Sequence, residues 1–222
     1  MRPSYQYVYS PRPRRALSFN REELLNIGLA VGALTLAFSI MWLEPFASDW
    51  RTRSGTELAM ILSFSFVAVI TGFLMHEIAH KVVAVRYGLW AEFRANFRGL
   101  MLAIFTALFG IVFAAPGAVM IAGPVNKEQN GRISVAGPLT NLGFGGGFFA
   151  LFLGLWRFVP GVPNLLLQLF FQIVIVNLIL GTFNMIPFPP LDGSKIWWWN
   201  KPVWAGMVVT FVALLAAVFI YF

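Results

Sequence analysis

From Leu58 to Met75 the chain carries no charge, and it then places His76, Glu77 and His80 within five residues. At ~1.5 Å per helical residue the uncharged run covers about 27 Å, nearly the ~30 Å hydrocarbon core of a bilayer. A single segment in lipid must satisfy its own backbone N–H and C=O groups, so this stretch is predicted to be a helix. On that helix His76 and His80 lie one turn apart on a shared face, and Glu77 can reach the same space. This is the H-E-x-x-H arrangement, in which two imidazoles bind zinc and the carboxylate handles a proton of the attacking water. An ionised residue at mid-bilayer costs roughly 2.5 kcal/mol or more, so these three side chains mark a functional site.

The surrounding composition agrees with a lipid setting. Of 222 residues, 59% are hydrophobic and 11% charged, against about 45–50% and 25% in soluble domains. The net charge of +7 includes Arg2, Arg12, Arg14, Arg15 and Arg21, all ahead of the first apolar segment. They read as a positive-inside signal, not as a nucleic-acid surface. No cysteine is present, so histidine, aspartate and glutamate must supply any metal site.

Taken in order, residues 1–23 form a basic cytoplasmic tail, and Leu24 to Leu43 form a first span, too long for a signal-peptide core. The mixed-charge loop from Glu44 to Glu57 belongs outside. The second span runs from Leu58 through the motif to about Tyr87 and stops at Gly88, with Lys81, Arg86, Arg94 and Arg98 placing the motif towards the cytoplasmic leaflet. Leu100 to Ala122 is uncharged but interrupted at Pro116-Gly117, and either crosses or re-enters. Asn126 to Ser134 reads as a polar connection. A further span starts near Ala136, with Pro138 in its first turn, and reaches Trp156. Its Gly143, Gly145, Gly146 and Gly147 would let another helix approach, and Asn141 would hydrogen-bond a neighbouring helix. The next span runs from Pro163 to Met185 and is broken by Pro187, Pro189 and Pro190. Trp197, Trp198 and Trp199 read as an interfacial anchor, and Pro202 to Phe222 as a last span. The expectation is an all-α polytopic membrane protein of about five transmembrane helices, with a re-entrant or hairpin segment between the second and third. Residues 24–222 form one membrane-embedded domain, with a core at about 58–193.

A catalytic zinc commonly takes three protein ligands. With both histidines used, the third must be a carboxylate: Asp49, Asp192, or a glutamate at 22, 23, 44, 57, 92 or 128. The tail and first-loop acids read as solvated charges, and Glu92 as an ion-pair partner of nearby arginines. Asp192 alone follows a broken membrane helix, although a turn or helix-cap aspartate is the competing reading.

At this point the chain resembles the site-two proteases, zinc metalloproteases that cut substrates within the membrane. The likeness lies in His76-Glu77-Ile78-Ala79-His80 and in Asn184 to Gly193, which has the pattern N-x-x-P-x-P-x-L-D-G. Ala136-Gly137-Pro138-Leu139-x-Asn141 is similar to that family's middle core helix. The resemblance implies that His76, His80 and Asp192 hold one zinc ion and that Glu77 is the general base and acid. It implies that Asn184 orients the site or stabilises the oxyanion. Pro116, Gly117, Ala118 and Val119 would suit an extended edge that pairs with unwound substrate.

For Asp192 to reach His76, Leu100 to Ala122 must re-enter or an extra crossing must exist. The expected partners are transmembrane protein substrates and the lipid bilayer, without nucleic acid. The N-terminus is expected in the cytoplasm, the site towards the cytoplasmic leaflet, and the protein in the cell membrane. Two other readings stand beside this one: a non-catalytic membrane metal-binding or transport protein, and a helix-packing scaffold.

Overall fold

The computed structural model describes residues 17–44 and 50–221. Most of the basic tail, including Arg2, Arg12, Arg14 and Arg15, lies outside the described residues, as do Asp49 and Phe222.

The apolar runs form helices with identifiable starts. Helix α1 (Arg21–Leu43) is capped by Asn20, whose side chain accepts from the Glu23 N–H. Helix α2 (Gly55–Val69) opens on a Ser54–Glu57 capping box. It continues through one π-helical turn, Ile70–Leu74, into α3 (Met75–Arg86), so a single rod carries His76, Glu77 and His80. The rod ends where Gly88 takes φ +75°, the left-handed backbone expected after a helix. Strand β1 (Trp90–Ala95), helix α4 (Phe97–Ala107) and strand β2 (Gly117–Ala122) follow. The remainder is helical: α5 (Lys127–Phe158), α6 (Asn164–Asn184), α7 (Asp192–Trp199) and α8 (Lys201–Tyr221). Among the described residues five helices are long and apolar enough to cross a membrane: α1, the α2–α3 rod, α5, α6 and α8. This is a polytopic helical membrane protein, with the number of spans expected.

The ambiguous segment resolves into two parts. Helix α4 has 11 residues, about 16 Å, roughly half a bilayer core. Strands β1 and β2 pair antiparallel with Ala95 opposite Gly117, and the Asn96 N–H donates to the Pro116 carbonyl at 2.8 Å. The chain therefore leaves this strand pair and returns to it. The outward N–H groups of Phe93 and Ala95 donate to Glu23 Oε1 and Asn26 Oδ1 of α1, both at 3.0 Å. One edge of the sheet is thus closed by α1, and the other is β2.

Helix α6 is buried on nearly every side from Phe170 to Gly181 and joins two cores. Ile173, Val176 and Leu180 pack with Leu34, Phe38 and Val69. Val174 and Leu178 pack with Ile196 and Phe211. In lipid such packing is stabilised by close contact, since the tails are as apolar as the side chains.

Three local expectations change. Asn126 to Ser134 is helical, because Asn126 and Gln129 form a capping box that starts α5 at Lys127. Pro138 therefore sits inside α5 instead of in its first turn. Of the glycines at 143, 145, 146 and 147, Gly145 makes the close approach, to Leu178, while Gly143 and Gly147 face open space.

A further change is Glu23, expected to be solvated. It is buried at 1% exposure and paired with Lys81, the residue after His80, at 2.5 Å. Losing one member of a buried pair leaves an uncompensated charge, so Lys81→Met is expected to destabilise the protein by about 3–5 kcal/mol. Glu23→Gln, which keeps an acceptor for the Phe93 N–H, combined with Lys81→Met should recover most of that loss. Thermal unfolding in detergent checks this, and a double variant no more stable than Lys81→Met would refute it.

Candidate metal centre and active site

The one-turn spacing of His76 and His80 sets their rings edge to face, with centroids 4.6 Å apart. Each ring is anchored through Nδ1, that of His76 to Asn141 Oδ1 at 2.6 Å and that of His80 to the Ile133 carbonyl at 2.7 Å. A carbonyl oxygen accepts, so both Nδ1 atoms carry the proton and both Nε2 atoms keep a lone pair facing inwards. The two anchors come from α5. Asn141 therefore makes the neighbour-helix bond expected of it, and its partner is a site histidine.

Asp192 arrives from the far end of α6. The chain breaks after Asn184, passes through a cis Pro189–Pro190 bond, and begins α7 at Asp192. The cap residue of α7 is Leu191, so Asp192 is not the cap that competed with the ligand reading. Its Oδ2 lies 3.2 Å from His76 Nε2 and 3.0 Å from His80 Nε2, and the two Nε2 atoms are 3.0 Å apart. Its Oδ1 lies 3.5 Å from Lys195 Nζ.

The donor set fits zinc. Bonds of about 2.0–2.2 Å at tetrahedral angles separate ligand atoms by about 3.3 Å, close to the spacing of this trio, which lies together among the described residues. The donors also lie where α5 has no side chain: a Cβ built on Gly137 would run into both Nε2 atoms.

Glu77 is buried beside this trio, and among the described residues its Oε2 has no hydrogen-bond partner. Its carboxylate faces the backbone N–H of Val119 on β2. A cavity of about 90 Å³ joins His76, Glu77, His80 and Asp192 to Pro116, Gly117, Ala118, Val119 and Asn184. Every expected site residue therefore lines one space. Asn184 lies at its wall with Nδ2 donating to the Leu180 carbonyl at 3.0 Å. Glu92 is paired with Arg94, as expected, and also contacts Asn20.

Gly137 and Asn177 were missed. Asn177 had a signal of its own, a lone amide in the apolar run Ile173 to Leu180. Gly137 stands in the family-like run Ala136 to Asn141, but its close approach had no physical signal beyond a small residue in a helix.

No protein-family model matches the chain, and no solved structure matches it. Among curated proteins it is 39% identical over 189 residues to Putative zinc metalloprotease MJ0611 of Methanocaldococcus jannaschii, covering 84% of this chain and 89% of the relative. It is 33% identical over 132 residues to Putative zinc metalloprotease Rip3 of Mycobacterium tuberculosis, covering 59% of this chain and 29% of that one. Zinc metalloprotease MJ0392 of M. jannaschii is 29% identical over 142 residues, covering 59% and 32%. A likeness that runs along most of both chains, joined to a zinc-binding donor set on a membrane helix, makes this chain a member of the site-two protease family of zinc metalloproteases.

Proposed function

We propose that the protein hydrolyses peptide bonds within or beside transmembrane segments of membrane-protein substrates. The observation that carries this reading is the position of the donor trio, at the end of an apolar rod and against the open edge of β2. His76, His80 and Asp192 would hold one zinc ion. When bound, zinc supplies a Lewis acid that polarises a carbonyl and brings the pKa of water towards ~7. Glu77, with its free Oε2, takes a proton from the attacking water and later delivers it to the leaving amine nitrogen. Asn184 steadies the carbonyl oxygen as charge develops there.

A substrate helix has its carbonyls occupied, so it must unwind before cleavage. The stretch Pro116 to Val119 offers such a strand backbone partners along β2. The N-terminus and the site lie on the cytoplasmic side of the cell membrane, and residues 100–122 re-enter from it.

The test is reconstitution of the protein in liposomes with a single-span substrate, the cut being mapped by mass spectrometry. We expect a cut inside the apolar segment or within a few residues of it, and cleavage confined to soluble loops would overturn the proposal. Because the chain lacks cysteine, single cysteines at Asn126 and Lys195 in the same liposomes report topology. Both should label from the cytoplasmic face, and labelling from opposite faces would sink the re-entrant arrangement.

A further inference from the structure

A chain of amides leads away from His76. Asn141 Nδ2 donates to the Gly72 carbonyl at 2.7 Å and to Asn177 Oδ1 at 3.2 Å. A backbone carbonyl can only accept, so the nitrogen of Asn141 must face Gly72 and its oxygen must face His76. Asn177 is fixed by the same logic. Its Nδ2 donates to the Ile173 carbonyl at 2.8 Å and to Thr71 Oγ1 at 3.0 Å, which leaves Oδ1 for Asn141. Asn141 and Asn177 are both fully buried, on α5 and α6, and Thr71 and Gly72 lie in the π-helical turn just before His76.

The outcome at the metal depends on this sense. With Asn141 reversed, its oxygen would meet the Gly72 carbonyl and Asn177 Oδ1, two acceptors, and its nitrogen would meet the His76 N–H. His76 could then answer only by moving its proton to Nε2, the atom of the donor trio.

We infer that Asn177, held by Thr71 and Ile173, is a positioning residue that locks the Asn141 amide and so keeps His76 Nε2 free for zinc. The inference rests on the zinc reading above. Asn177 touches neither substrate nor metal; it acts through Asn141. A packing role would be different, because it would not depend on Asn141 having two unlike ends.

Zinc affinity, measured by chelator competition on the purified full chain, separates the two. Groups bonded directly to a metal ligand are worth roughly 10–100-fold in metal affinity, and Asn177 acts one bond further out, so Asn177→Leu should weaken zinc binding by about three- to tenfold. Asn141→Leu removes the amide altogether, leaving nothing for Asn177 to lock. In that background Asn177→Leu should change affinity by less than about twofold. An equal loss in both backgrounds would mean packing and overturn the inference, as would no loss in the native background.

Should Asn141→Leu fail to fold, Thr71 gives the answer instead. Thr71→Val has the same shape without the acceptor and should weaken zinc binding at least about twofold, with Thr71→Ser restoring it; native affinity in Thr71→Val overturns the inference. A wild-type protein that binds no zinc removes the zinc reading and this inference together. One that binds zinc but is indifferent to Asn177→Leu removes the inference alone.

Discussion

Glu77→Gln is expected to keep zinc and lose hydrolysis. Glutamine has the shape of glutamate, and the donors His76 Nε2, His80 Nε2 and Asp192 Oδ2 do not include Glu77. Metal content should therefore stay at the wild-type level. What disappears is a carboxylate oxygen beside the trio that has no partner among the described residues, and an amide cannot take a proton from water at neutral pH. General-base catalysis contributes about 10²–10⁴-fold, so turnover of a transmembrane substrate should fall by at least about 100-fold. Zinc content by elemental analysis and turnover on the same preparation decide the matter. Activity within about tenfold of wild type would sink the assignment of Glu77 as base. The same pair of measurements separates a protease from a metal carrier, which would be indifferent to this substitution.

Gly137→Ala is expected to disable the centre through one methyl group. The new Cβ would occupy space against both Nε2 atoms, and α5 cannot simply retreat. Ile133 and Asn141 tie it to the histidines, and Gly131 is pressed against Trp199. The histidines must move instead, and displacement of about 1 Å in a catalytic group can cost 10²-fold in rate. Turnover should fall by about that factor or more, and zinc affinity should fall with it. Helix formation is not the cause, since alanine favours helix over glycine by about 1 kcal/mol. Gly143→Ala provides the control: its Cβ meets nothing within 4 Å, and it should behave as wild type. A Gly137→Ala protein with native zinc affinity and turnover would show that the close approach of α5 has no role in the centre.

How far the site was legible depended on whether each feature is local. His76, Glu77 and His80 follow from helical spacing alone, and the five spans follow from long uncharged runs. Asp192 could be narrowed down because three prolines force the chain out of α6 before it. Glu23 could not: among other tail and loop acids it has nothing to mark it, and its partner Lys81 is 58 residues away. Strand β1, with Glu92 and Arg94 in six residues, lacks the apolar alternation of a strand and forms through β2 and the acceptors on α1. Pro138 points to a helix start by local rules, yet the capping box at Asn126 places that start eleven residues earlier. The π-helical turn has no signature of its own, although it presents the Gly72 carbonyl to Asn141.

The closure of β1 by α1 makes the sheet a one-sided template with a fixed parity. Along β2, Gly117, Val119 and Ile121 are half-buried while Ala118, Met120 and Ala122 are exposed. A guest strand hydrogen-bonded to that edge inherits the same two-residue rhythm, since successive side chains in a strand point to opposite faces. Alternate guest residues would meet the protein's interior, and those between them would point away from it. Under the proposed pairing, sliding such a guest by one residue would exchange the two sets, so the groups presented to the donor trio would be settled by which set is in register.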